Sequence, residues 1–349
     1  LGGAKLMDKT GAEFPIIKDG NSCRSVLLNG KKLSWLDRQD DLEKLGLWAT
    51  RLYFTTENFS VDDKYFFFNK DVEGGLECYR ADVQTGELTL ITDKAYAGFA
   101  LDREKNVAYT CKNETEVYAV DLNTNEMTKI GDLPAGGKIT GHLTSADTGR
   151  IACSYHLANK IYALVILDPG QEAKVVYRSD YRLGHAQICP TDENLIFYIH
   201  ETEGDAFQRT FMCDVKERYV RPWYVEHPNE WITHEVWAAD GQEMAFMKLR
   251  GQIMIGDKDG RHFDHAAYSE QLLHPCLSRD KKWLVADRIS YLGVNVQEGV
   301  VLIERATGKQ KLIATTGSCK TGAFRCVYIA VRVDLCAGPG DIPPTYRRT

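Results

Sequence analysis

No apolar run in the chain approaches the roughly 20 residues that span a bilayer, so neither a membrane-spanning helix nor a membrane partner is expected. Ten cysteines are present but form no CxxC pair and keep no regular spacing. Neither a zinc ribbon nor a disulfide framework fits that scatter, and reduced thiols suit a cytoplasmic protein. The first residues, Leu1 to Asp8, lack both the basic region and the apolar core of a secretory signal, which carries the same expectation. Positive charge is also short. A net charge of −6 excludes a nonspecific nucleic-acid binder, whose affinity comes from a basic surface neutralising phosphates. It leaves room for a small anionic ligand, because a few arginines in a cleft can focus a local positive field. No GxSxG elbow, HExxH helix or complete phosphate loop occurs, and Gly136-Gly137-Lys138 lacks both the earlier glycine and the following hydroxyl residue.

What is present is a repeat. A small or hydroxyl residue, a variable one, an aspartate, three mostly polar residues and a hydrophobic run recur around Asp62, Asp102, Asp147, Asp192, Asp240 and Asp280. The intervals of 40 to 48 residues match one four-stranded propeller blade. Each aspartate has a local role, since its side chain can accept a backbone N–H two residues on and close a tight turn between adjacent strands. A second hairpin follows in several units. Leu76–Val83 and Glu87–Ile91 alternate in polarity around Gln84-Thr85-Gly86, and Val117–Leu122 and Val300–Glu304 repeat the pattern. The expected fold is therefore all-β, a β-propeller that fills the chain of 349 residues as one closed array.

In a propeller the first strand of each blade lines the central channel, so residues at equal phase before the turn aspartates converge on one end of it. His142, His185, His234 and His274 precede their aspartates by 5 to 7 residues. Taken singly, each reads as a histidine satisfying a backbone group at a strand start. Four together suit a divalent metal or a general base, because imidazole titrates near neutrality and its neutral nitrogen is a ligand. His156, His200, His227, His262 and His265 fall outside this phase and are assigned to surfaces or loops.

Arg51-Leu52-Tyr53-Phe54, Gly184-His185 through Pro190, Thr233-His234-Glu235-Val236-Trp237 and His274-Pro275-Cys276-Leu277-Ser278 resemble, in order and spacing, the oligogalacturonate lyases. The resemblance covers about residues 45–317. It implies a seven-bladed propeller, a cytoplasmic setting, a short pectic oligogalacturonate as substrate, and β-elimination assisted by bound manganese. Matched by position, it makes His234 the base that removes the C5 proton and His274 a metal ligand. Arg209 and Arg51 would grip carboxylates, as a planar guanidinium can do bidentately. For Arg209 a solvated surface side chain is the competing assignment. His185 matches a Gly-His pair of the family without a fixed role, and His142 has no counterpart; both are candidates for substrate contact.

The resemblance also implies a last blade with a glutamine and a His-Pro-His segment completing the manganese site, yet no histidine follows His274. Residues 318–349 lose the turn-aspartate pattern and hold three cysteines. Three segments are thus expected: 1–45, offering a closing strand; 46–317, the blades; and 318–349, an aberrant or frame-shifted end that leaves the metal weak or absent. An uninterrupted reading frame there in the source DNA would count against a frameshift. The competing functional classes are an inactive lyase without its full metal site, a non-catalytic propeller like that of TolB, and the propeller of a prolyl oligopeptidase that has lost its hydrolase domain.

Overall fold

The computed structural model describes residue 60 and residues 64–315 with breaks of one to three residues and a longer one at 289–298, together with backbone segments within residues 5–32. Among the described residues there are strands and turns and no helix, hence none long and apolar enough to cross a membrane. Six successive antiparallel sheets make a six-blade propeller arrangement. The first is Tyr65–Val72, Gly75–Asp82 and Leu88–Ala95. The second is Ala97–Asp102, Val107–Lys112, Glu116–Asp121 and Met127–Asp132. In the third the inner strand is interrupted, Lys138–Ile139 and Thr144–Ser145 both pairing with Ile151–His156 before Tyr162–Leu167 and Lys174–Ser179.

The fourth blade is Leu183–Cys189, Asp192–His200, Thr210–Asp214 and Tyr219–Pro222; the fifth is Trp231–Trp237, Glu243–Leu249, Gln252–Asp257 and Phe263–Tyr268. Leu272–Leu277, Trp283–Arg288, Gly299–Glu304 and Gln310–Thr315 form the sixth, and Lys5–Met7 adds to its outer edge through Leu6 opposite Ala314. The expectation of seven blades is met by six among the described residues, and residues 318–349 lie outside them.

Four of the six turn aspartates do what local chemistry asks of them. Asp192, Asp240 and Asp280 each accept the N–H two residues on at 3.1 Å, and Asp102 accepts that of Lys105. The hydroxyl at the head of the repeat has a job too: Ser60 and Ser278 accept the N–H five residues on, where the next strand begins. A second set of aspartates closes the outer hairpins, with Asp82, Asp121 and Asp214 accepting N–H groups at Thr85, Asn123 and Glu217.

The second strands of the second to fifth blades are buried on both faces because each is wedged between two neighbouring blades. Ile196 and Tyr198 face the third blade with Leu164 and Ile166, while Leu195, Phe197 and Ile199 face the fifth with Met244 and Phe246. The core is therefore a series of inter-blade layers, and two-residue periodicity decides which layer each side chain enters. Five buried thiols, Cys78, Cys111, Cys153, Cys189 and Cys213, are free. Trp223 anchors the layer between the fourth and fifth blades, 1% exposed and edge-on to Phe197, Phe246 and Phe263, with its indole N–H donated to the Asp257 carbonyl at 2.9 Å. Trp223→Ala is expected to cost about 3–5 kcal/mol, read as a lower urea midpoint at unchanged m-value.

Candidate functional site

Successive inner strands face one another, so side chains at equal phase become neighbours. Three of these strands share one irregularity. The register with the second strand shifts between Gly184 and Gln187, between Thr233 and Val236, and between Leu273 and Cys276, a bulge at the same place in three blades. The first bulged residue is each time a histidine in the left-handed region: His185 at φ +48°, His234 at +57° and His274 at +43°. Histidine tolerates that region better than most residues, but the conformation still costs about 1–2 kcal/mol for an L-residue. Its recurrence at one phase brings three imidazoles within reach of one another, and strained backbone of this kind is a mark of function.

The rings cluster as the phase of the sequence predicts. His234 and His274 have centroids 3.9 Å apart at 59°. Burial holds His234 well below the ordinary imidazole range, and His274, His185 and Arg209 add to that by repulsion. His142, in the interruption of the third inner strand, is only partly covered by surface area. Removal of its ring from bulk water, helped by His185, still pushes it down to about 4. Five of the six candidate residues named from the sequence, the four histidines and Arg209, thus interact; Arg51 lies outside the described residues.

Arg209 is 4% exposed, which decides against a solvated surface side chain. Its Nη1 donates to the His200 carbonyl at 3.3 Å and lies 3.5 Å from Glu201 Oε1, while its backbone N–H donates to Glu226 Oε1 at 2.6 Å. Burial pushes the Glu226 carboxyl up to about 7 against the pull of the Arg209 and Thr210 amides. His200, assigned from sequence to a surface or loop, instead ends the second strand of the fourth blade beside this arginine. Its ring rests on Tyr181 at 4.3 Å and is held below the ordinary range by burial and then by Arg209.

The carboxylates beside these rings do not share the histidine phase. Glu235, 0% exposed, meets His185 Nδ1 at 2.9 Å, Glu201 stands 3.8 Å from His185 Nε2, and Asp287 meets His274 Nδ1 at 3.0 Å. The only available signal was a charged residue among apolar neighbours on an inner or second strand. Among the described residues no group of three or more His, Cys, Asp or Glu side chains is arranged to hold a metal ion. The single imidazole of His274 does not fit a stable transition-metal site, which needs three or four protein ligands.

No protein-family model matches the chain. It is 26% identical over 227 residues to an oligogalacturonate lyase of Dickeya dadantii, covering 58% of each chain. A second curated relative, an oligogalacturonide lyase of Pectobacterium atrosepticum, is 24% identical over 222 residues, covering 56% of this chain and 57% of that one. The chain resembles the oligogalacturonate lyases. It spans less than three fifths of the length of these curated relatives. A solved oligogalacturonate lyase of Vibrio parahaemolyticus superposes with a TM-score of 0.66 at 18% identity, over 76% of this chain and 78% of that one. An oligogalacturonate lyase solved in complex with manganese gives 0.67 at the same identity and coverage, and at that identity the two lyase structures speak for a shared fold.

The low imidazole pKa values have a consequence for stability. His142 takes up a proton at about 4 when folded and near 6.5 when unfolded, so the unfolded chain binds more protons between those values. Stability from this group is complete above pH 6.5 and declines as pH falls toward 4, by about 2 kcal/mol once discounted for partial exposure. Urea unfolding across that window should show the loss, and His142→Asn should flatten it.

Proposed function

We propose that the chain is a lyase that cleaves short oligogalacturonates by β-elimination, with His234 as base and Arg209 facing a uronate carboxylate. The observation that carries the proposal is the convergence of His234, His185, His274 and the buried Arg209 at one channel end, on a propeller shared with two solved lyases.

A hydrogen at C5 of a uronate is acidified by the adjacent carboxyl group. His234, kept neutral by burial and by its cationic neighbourhood, takes that proton. The C5–H electrons form the C4–C5 double bond as the C4–O4 bond breaks, and the departing oxygen takes a proton from water. Negative charge accumulates on the carboxyl oxygens in between, and Arg209 sits in a desolvated place where a fixed cation stabilises it strongly. His185 and His142 contact the sugar on the flanking blades in this proposal, with Arg51 as a second carboxylate grip. Manganese enters from the solved relative that binds it. Of the ligands implied by the family resemblance this sequence keeps His274 and lacks the C-terminal His-Pro-His segment, and the described residues form no site for the ion, so no step here is routed through it.

Saturated trigalacturonate tests the proposal, because β-elimination creates a double bond conjugated with a carboxylate and ultraviolet absorbance rises as it forms. An increase matched by unsaturated product in the mass spectrum is expected. Unchanged trigalacturonate, both with and without added manganese, would sink it.

A further inference from the structure

We propose that Glu235 is a positioning residue that fixes the tautomer and orientation of the His185 ring, so that His185 offers Nε2 as an acceptor to a hydroxyl of an acidic sugar. The part that concerns the sugar rests on the function proposed above.

Glu235 follows His234 in the bulge of the fifth inner strand, yet its carboxylate crosses to the fourth blade. One oxygen lies 2.9 Å from His185 Nδ1, and the other, buried, has no hydrogen-bond partner among the described residues. A buried carboxylate with a single partner is a poor stabilising device, since desolvation outweighs one interaction unless every lone pair is satisfied. Its placement is nevertheless tightly held. Gln187, two residues after His185, donates its side-chain N–H to the Glu235 carbonyl at 2.8 Å and so clamps the two bulges together.

In the proposed arrangement His185 donates from Nδ1 and the Glu235 oxygen 2.9 Å away accepts. That choice leaves Nε2 toward Glu201, 3.8 Å away, whose other oxygen is 3.5 Å from the Arg209 guanidinium. Gly184 makes room for this arrangement, because a Cβ there would come within 2.9 Å of the Glu201 carboxylate. The same construction recurs at His274, whose Nδ1 meets Asp287. Two imidazoles of the site are thus held from behind by a carboxylate on the same nitrogen, the arrangement by which a buried acid fixes ring and tautomer.

The test uses the full chain labelled with nitrogen-15 histidine, with the His185 signals assigned by their loss in His185→Asn. The wild type is expected to show the His185 proton on Nδ1. Glu235→Gln, nearly isosteric, should shift those signals, because an amide can donate to Nδ1 as well as accept from it. In the elimination assay it should lower kcat/KM by about ten- to hundredfold, with Glu235→Asp recovering part of the loss. A wild-type His185 carrying its lone proton on Nε2 would overturn the proposal. So would Glu235→Gln if it altered thermal stability and left the His185 spectrum unchanged. The spectrum needs no substrate, so a chain with the expected His185 signals and no lyase activity refutes the proposed reaction and leaves the positioning role in place.

Discussion

Replacing His234 with asparagine is expected to lower the rate of oligogalacturonate elimination by about 10²–10⁴-fold with little change in the fold, the range over which a positioned general base contributes. Asparagine is the informative substitution because it accepts the left-handed backbone that His234 occupies at φ +57°, whereas alanine adds strain at the bulge. The removed ring lies tilted at 59° beside that of His274, 3.9 Å away, and although its neighbours desolvate it the residue keeps part of its surface open, so cavity formation should cost less than the chemistry. The pH profile of the wild type carries a second signature. Burial, then His274, His185 and Arg209, disfavour the protonated ring, so the base stays competent until pH falls well below 6.5. The acid limb of kcat/KM for the free enzyme belongs below that value. Asparagine activity within a few-fold of wild type would assign the proton transfer elsewhere.

The two levels of structure were unequally legible in the sequence. Turn aspartates and two-residue alternation report backbone geometry within a few residues of themselves, and so Asp192, Asp240 and Asp280 identify the hairpins they close. Convergence of His185, His234 and His274 also follows from sequence alone, because a repeat places equal phases at equal depth. The left-handed bulge does not, since nothing in Gly-His, Thr-His or Leu-His announces the register shift that re-aims the ring. Glu235 directly follows His234 in Thr233-His234-Glu235, and nothing local marks its role. Its partner His185 lies 50 residues away on the next blade, a pairing set by the angle between blades rather than by local pattern. His200 was misassigned for the same reason: its distance from the histidine phase says nothing about the arginine that folds back beside it.

Arg209→Ala is expected to lower kcat by about 10²–10³-fold, the usual effect of removing one fixed donor from developing negative charge, and also to destabilise the protein by about 3–5 kcal/mol. The two losses have different origins and can be separated. The stability loss comes from carboxylates left behind. Glu226 already titrates up to about 7 because of burial, with Arg209 among the groups that pull it down, and Glu201 loses the guanidinium 3.5 Å away. For Glu226 the folded value lies above the unfolded 4.5, so its contribution to stability is complete below 4.5 and is lost as pH rises through 7. Without the arginine the folded value climbs further, and the variant should be weakest at alkaline pH and nearest wild type in mild acid. Adding Glu226→Gln removes the buried charge while an amide oxygen still accepts the backbone N–H groups at 209 and 210. The double variant should therefore regain much of the alkaline stability and none of the activity. Arg209→Lys should keep the charge but lose the planar fork, and fall between wild type and alanine in kcat. Full activity in the stabilised double variant would take Arg209 out of the chemistry and leave it as the counter-ion of a buried acidic pair.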